Sequence, residues 1–297
     1  MKTMEPIIIV VATDDKYMVL LAVLMKSIEK NLTSERKIHL YIIEDKVSKT
    51  NKEKLLNSIN SSITSVIWKN VNEINLTGYK IPMDWSSWPI TIHLRLFFPY
   101  LLGQGVEKIL YLDVDMMLQA DISELYDTPL DGFVIGAVTD ERVKSFDNPW
   151  GGIKNFEELG LDGSLAYFNT GLLLINCKEW IKHETTYRVI DCINENKTYA
   201  NFPDQYGLNI VLAHKWKFLS PTWNYFSTGK DLNAKLIHFI ERKPIFNSYN
   251  GNPEFKKIFL NYVEGSEWGK IKGKSDFNWY WNKVKNRVNK YLNYLLK

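Results

Sequence analysis

The clearest pattern in the chain is an uninterrupted apolar run rich in β-branched residues, Pro6 to Ala12 (PIIIVVA). A run this short and this continuous predicts a strand buried on both faces. Thr13-Asp14-Asp15 follows as a polar turn that can cap a helix, and apolar positions at Leu20, Leu21, Leu24, Met25 and Ile28 predict a helix over Tyr17 to Asn31. The alternation then repeats, with a strand at Ile38–Ile43, a helix at Asn51–Ile59 and a strand at Ser65–Trp68. Strand and helix in alternation imply a parallel sheet with helices on both faces. In such sheets ligands bind beyond the carboxyl ends of the strands, where Thr13, Asp14 and Asp15 lie. Further along, the pattern predicts a helix over Ile92–Leu102 and strands at Lys108–Leu112, Phe133–Val138 and Phe168–Asn176. Helices follow at Glu184–Glu195 and Asp204–Leu212. A last one starts at Asp276, its stripe formed by Trp281, Val284, Val288, Tyr291, Leu292 and Leu295.

Candidate chemistry concentrates where the Lys108–Leu112 strand runs into Asp113-Val114-Asp115. In extended chain, residues i and i+2 point the same way, so both carboxylates can converge on one hard cation. A pair of turn aspartates would look the same locally. The setting VEKILYLDVDMM is apolar on both sides, however, and charges held against buried surface need a partner. Asp204-Gln205 after Pro203 reads locally as a helix start. A carboxylate beside an amide could orient a sugar or stabilise a developing oxocarbenium ion, but from the local sequence capping is the better reading. His238 ends the apolar run Leu236-Ile237, and by itself reads as a core or surface histidine.

Composition adds limits. The 297 residues allow one large or two small domains, and 45% hydrophobic with 24% charged residues is ordinary for a globular chain. A net charge of +3 gives no nucleic-acid footprint. Two isolated cysteines, Cys177 and Cys192, suit a reducing compartment, and no apolar stretch is long enough to span a membrane. There is no GxGxxG after the first strand, no phosphate-binding Walker loop and no GxSxG or HExxH.

Several segments together resemble glycosyltransferase family 8, the retaining group that includes bacterial lipooligosaccharide galactosyltransferases and glycogenin. They are Ala12-Thr13-Asp14-Asp15-Lys16-Tyr17, Arg95-Leu96, Leu110-Tyr111-Leu112-Asp113-Val114-Asp115, Tyr167-Phe168-Asn169-Thr170-Gly171, Pro203-Asp204-Gln205 with Leu208-Asn209, and His238-Phe239 with Lys243-Pro244. The resemblance implies an α/β fold of GT-A type, a mixed, mainly parallel sheet flanked by helices, over residues 1–250, with a helical extension over 251–297. It implies transfer of glucose or galactose from a UDP-sugar, assisted by Mn2+ or by Mg2+ in its place. Asp113, Asp115 and His238 would hold the metal, an O/N ligand set that suits Mn2+. Ala12, Thr13, Asp14, Tyr17 and Val114 would lie near the nucleoside. Lys243 would reach the diphosphate. Arg95, Asp140 and Asn169 would contact the donor sugar, and Asp204 or Gln205 would stabilise the anomeric carbon. One departure stands out. The glycine that the family carries between the histidine and the lysine is missing in His238-Phe239-Ile240-Glu241-Arg242-Lys243-Pro244-Ile245, and Ile245 replaces a tryptophan. This loop motivates the alternative of a UDP-sugar-binding protein with impaired catalysis.

The stretch from Trp268 to Lys297 carries about +7 against −4 for the remainder. Its apolar stripe, flanking lysines and aromatics fit an anchor lying on an anionic membrane surface, and fit equally a helix packed on the domain with a solvated basic face. The expected location is cytoplasmic, peripheral on the membrane in the first case. The acceptor is expected to be a glycan, a lipid-linked sugar or a glycoprotein.

Overall fold

The computed structural model describes residues 5–70, 91–102, 105–271 and 273. The first apolar run extends to β1 (Ile7–Asp14) and leads through a single 3-10 turn, Asp15–Tyr17, into α1 (Met18–Asn31). Asp14 makes this turn, its carboxylate accepting from the Tyr17 amide at 3.1 Å. α1 is buried along nearly its whole length, which accounts for an apolar pattern wider than a single stripe. β2 (Ile38–Asp45), α2 (Lys49–Ser58) and β3 (Thr64–Asn70) complete the first half, with β1, β2 and β3 parallel.

The segment predicted as one helix over Ile92–Leu102 is broken into α3 (Thr91–Leu94), a 3-10 turn (Arg95–Phe97) and α4 (Phe98–Leu101). Pro99 is the cause: it lacks the N–H that would bond back to the Arg95 carbonyl, so the α ladder cannot run through. The break turns Arg95 into a buried residue between two short helices.

β4 (Lys108–Leu112) pairs in parallel with β1 and delivers the acid pair. After it come β5 (Met116–Leu118), α5 (Ile122–Tyr126), β6 (Ile135–Thr139), β7 (Phe168–Asn176), α6 (Cys177–Lys182), α7 (Thr185–Glu195) and α8 (Pro203–Val211). β8 (Trp216–Phe218), β9 (Tyr225–Phe226), β10 (Leu236–His238) and α9 (Pro253–Glu264) complete the described elements. The main sheet runs β3-β2-β1-β4-β7-β6-β8. β7 is antiparallel to both its neighbours and the other pairings are parallel, so the sheet is mixed and mainly parallel. A small sheet, β5-β10-β9, stands beside it.

Each face of the main sheet has its own core. On one face α1, the small sheet and α9 pack together, α9 through Phe255, Phe259 and Val263. On the other, Trp180, α7 and α8 cover β4, β6 and β7. Leu110, Leu112, Leu172 and Leu174 are fully buried between these layers. Each contributes about 1.5–3 kcal/mol relative to exposure, and this stiff layer fixes the carboxyl end of β4. Among the described residues no helix is long and apolar enough to cross a membrane. The helix predicted from Asp276 lies outside the described residues.

Candidate active site

The acid pair is gripped from two sides. The Asp113 amide donates to the Gly171 carbonyl at 2.8 Å and extends the pairing of β4 with β7, while the Asp115 carbonyl accepts from the Phe239 amide at 2.9 Å. Antiparallel pairing of β5 with β10 sets His238 opposite Met116. As a result His238 Nε2 lies 3.5 Å from Asp115 Oδ1 and 3.9 Å from Asp113 Oδ2. One ligand atom from each of Asp113, Asp115 and His238 falls within 4.8 Å of the others.

The ring orientation is set by a relay. The Gly171 amide donates to Asn169 Oδ1 at 2.9 Å, and Asn224 Nδ2 donates to the same oxygen at 3.0 Å. Asn224 Oδ1 is thereby left as an acceptor for His238 Nδ1, 2.9 Å away. With the proton on Nδ1, the Nε2 lone pair faces the carboxylates. Two carboxylates and a neutral imidazole so oriented form a donor set that fits a divalent cation. Gly171 makes the convergence feasible. A Cβ there would sit 2.5 Å from His238 Cε1 and 3.0 Å from both Asp113 Oδ2 and Asn169 Oδ1.

Positive groups already balance these acids. Arg95 Nη2 meets Asp113 Oδ1 at 3.2 Å, and the Tyr111 hydroxyl donates to the same oxygen at 2.6 Å. Lys243 pairs with Asp115 Oδ2 and donates to the Phe239 carbonyl at 2.6 Å. Burial pushes the Asp115 carboxyl up, but the Lys243 ammonium beside it, aided by His238 whenever that ring carries its second proton, outweighs this and holds it below the usual carboxylate range. For Asp113 burial prevails over Arg95, and the nearby Asp115 charge adds to it, so its carboxyl is raised. Burial, with Asp115 and Asp14 nearby, pushes the Tyr17 hydroxyl up to about 12, so it stays protonated.

Next to the acid pair stands a hydrogen-bonded group carried by β6, β7 and α8. Asp140 Oδ1 accepts from the amides of Arg142 (2.9 Å) and Val143 (3.0 Å), and Oδ2 accepts from Asn169 Nδ2 (2.8 Å) and Gln205 Nε2 (3.3 Å). Gln205 Oε1 accepts from the Thr170 amide at 3.2 Å. Asp204 does not cap α8. Its Oδ2 lies 3.2 Å from Arg95 Nε and accepts from the Thr170 hydroxyl at 3.2 Å. Arg95 also donates to the Thr170 carbonyl at 2.6 Å, so one guanidinium joins Asp113 to Asp204.

These groups open onto one cleft of about 660 Å3. Of the residues singled out in the sequence, Ala12, Tyr17, Arg95, Asp113, Val114, Asp115, Asp140, Asn169, Asp204, Gln205, His238 and Lys243 line it. Thr13 is buried, with its hydroxyl donating to the Asp14 carbonyl at 3.2 Å. Asp14 contributes instead to a separate hollow of about 640 Å3 that also involves Lys16, Asp45 and Trp268. Sequence reading missed Trp150, Phe202, Phe226, Arg142 and Glu241 in the cleft wall, and missed Asn224 behind His238. Trp150 alone carried a signal, as a tryptophan between turn residues, Pro149 and Gly151. Asn224 had none.

Comparison with known proteins identifies the family of the chain and its fold. A family model described as glycosyl transferase family 8 matches residues 8–256. General stress protein A of Bacillus subtilis is 24% identical over 286 residues, covering 89% of this chain and 95% of the relative. A putative glycosyltransferase of Haemophilus influenzae is 27% identical, over 82% of this chain and 71% of its own. Lipopolysaccharide 1,2-glucosyltransferase of Escherichia coli K12 is 27% identical over 190 residues, 60% of this chain and 53% of the relative. The crystal structure of the galactosyltransferase LgtC with donor and acceptor sugar analogs superposes with a TM-score of 0.73 at 22% identity, covering 88% of this chain and 96% of that one, and so shares the fold.

Proposed function

Because the chain belongs to glycosyltransferase family 8, we propose that it moves glucose or galactose from a UDP-sugar to a glycan, lipid-linked or glycoprotein acceptor, with retention at the anomeric carbon. The observation that carries this reading is the convergence of Asp113, Asp115 and His238 over Gly171, beside Asp140, Asn169 and Gln205 in one cleft. The names of the relatives, a glucosyltransferase and a galactosyltransferase, support a hexose donor.

Asp113, Asp115 and His238 would hold Mn2+, or Mg2+ in its place. A cation so held supplies positive charge to a departing diphosphate. Lys243 brings a second positive charge to the same end of the cleft. Tyr17, protonated, presents a ring and a hydroxyl donor in the wall near Ala12. Asp140 and Asn169, locked by each other and by Gln205, offer fixed acceptors and donors to sugar hydroxyls. Asp204 is held by Arg95 and Thr170 and is buried. A carboxylate engaged in this way is a poor nucleophile, which supports front-face attack with Gln205 beside the anomeric carbon. The acceptor proton then goes to the leaving phosphate oxygen. Trp150, 61% exposed, and Phe202 form an aromatic wall with ring centroids 6.0 Å apart, suited to the apolar face of an acceptor pyranose.

The test is UDP release from a panel of UDP-sugars, with Mn2+ or with EDTA, for the wild type and Asp115→Asn. Metal-dependent release from one donor, reduced a hundredfold or more in the variant (on the order expected for a lost electrostatic contact), supports the reading and names the sugar. UDP binding with no turnover, with or without sugar acceptors, replaces it with an inactive sugar-nucleotide binder. No UDP binding at all overturns it.

A further inference from the structure

We propose that Glu241 is a positioning residue, a latch that ties the loop carrying Lys243 across the cleft to the loop that follows Asp140. The inference rests on the sugar-nucleotide reading above and adds a residue to which neither the sequence nor that reading gives a role.

Glu241 has φ 58°, in the left-handed region where an L side chain crowds its own carbonyl. This is the loop in which the family resemblance leads one to expect a glycine. Here the left-handed position carries a long acidic side chain. Strain of this kind persists only where surrounding contacts hold it. The contacts are specific. The Glu241 carboxylate pairs through Oε1 with Arg142 Nη1, and Oε2 accepts from Asn250 Nδ2 at 3.2 Å.

Both ends of the ion pair are tied to the site. The Arg142 amide donates to Asp140 Oδ1, and its guanidinium lies 5.9 Å from the centre of the Phe226 ring. Phe226 in turn packs edge-on against His238, with centroids 5.9 Å apart at 88°. Glu241 is two residues before Lys243, the partner of Asp115. Arg142 and Glu241 both line the cleft. With the pair formed, Lys243 is held over the acid pair and the two loops meet across the cleft wall. The two side chains remain 34% and 42% exposed, so the pair adds little to global stability and can open to admit or release a nucleotide.

The test uses the full chain and four variants: Glu241→Gly, Arg142→Gln, the double variant and the charge swap Arg142→Glu/Glu241→Arg. UDP affinity and dissociation rate are measured with Mn2+, together with hydrogen exchange at residues 239–246 without nucleotide. Each single substitution is expected to weaken UDP binding about threefold to fivefold, through faster dissociation, as an exposed pair permits. The double variant should be no weaker than either single one, and the swap should recover most of the loss. Exchange over 239–246 should rise in both single variants while the melting temperature holds within about two degrees. Glu241→Gly binding UDP as tightly as the wild type, or losses that multiply in the double variant, overturn the latch. So does unchanged exchange. If the wild type binds no UDP but exchange rises as described, the latch stands and the sugar-nucleotide reading falls.

Discussion

At one end of the cleft Asp140, Asn169, Asp204 and Gln205 are joined through amide and hydroxyl hydrogen bonds between a long strand and a helix. At the other, Asp113, Asp115, His238 and Lys243 are held mainly by charge, where two sheets meet and a loop closes over them. The first end is preorganised: its groups are held in place by hydrogen bonds to one another, and β7 is buried on both faces. The second is poised. Its acids are balanced by Arg95 and Lys243, and on the proposed function those partnerships would have to rearrange to admit a cation and a diphosphate. On the proposed function the rigid end would hold the sugar and the exchangeable end the phosphates, which suits a reaction in which the sugar must be held still while its leaving group is drawn away.

The comparison can be broken most sharply at Gly171, the contact between the two ends. Gly171→Ala puts a methyl against His238, Asp113 and Asn169 together. Metal affinity should fall on the order of 10–100-fold and UDP release at least as far. Calorimetric Mn2+ titration of a variant shown to be folded by circular dichroism checks this, and wild-type affinity would show that the wedge is absent. Next in size is ligand stabilisation. Mn2+ with UDP at about a hundred times its dissociation constant should stabilise the wild type by about 2.7 kcal/mol. The gain should vanish in Asp115→Asn, as read from thermal melts at fixed ligand. Asn169→Ala should itself cost about 1–3 kcal/mol in urea unfolding with an unchanged slope, because the Gly171 amide, Asn224 and Asp140 all lose a partner. A loss under a few tenths would mean that this end is not preorganised by that network. The smallest effect is expected at the rim. Trp150→Ala should raise the acceptor KM about threefold to tenfold, consistent with loss of one aromatic contact, with the donor KM moving less than about twofold. Equal shifts in both would remove the aromatic wall from the acceptor reading.

Much of the frame was legible in the chain. The Pro6–Ala12 and Lys108–Leu112 runs are buried strands, and Asp113 and Asp115 do lie close to one another and to His238, but through a turn at Val114-Asp115 after β4 has ended rather than through the strand alternation expected. Periodicity fails below about four residues, which is why β5, β9 and β10 went unseen although they carry His238 to the acids. The single helix drawn through Arg95 ignored the missing N–H of Pro99, and the local reading of Asp204 as a capping residue gave way to a buried ion pair with Arg95.

The layers and the choice of Asp113 and Asp115 as candidates could be read from the chain, since an apolar run and the acids that end it occupy neighbouring positions. Only the tertiary structure decided that His238 turns Nε2 toward those acids, that Asn224 fixes its tautomer, that Thr13 is buried away from the cleft, and that Glu241 meets Arg142. Each of these depends on groups distant in the chain, brought together because two sheets bury their apolar faces against the same helices. That juxtaposition is set by packing over the whole core and leaves no trace in the residues on either side.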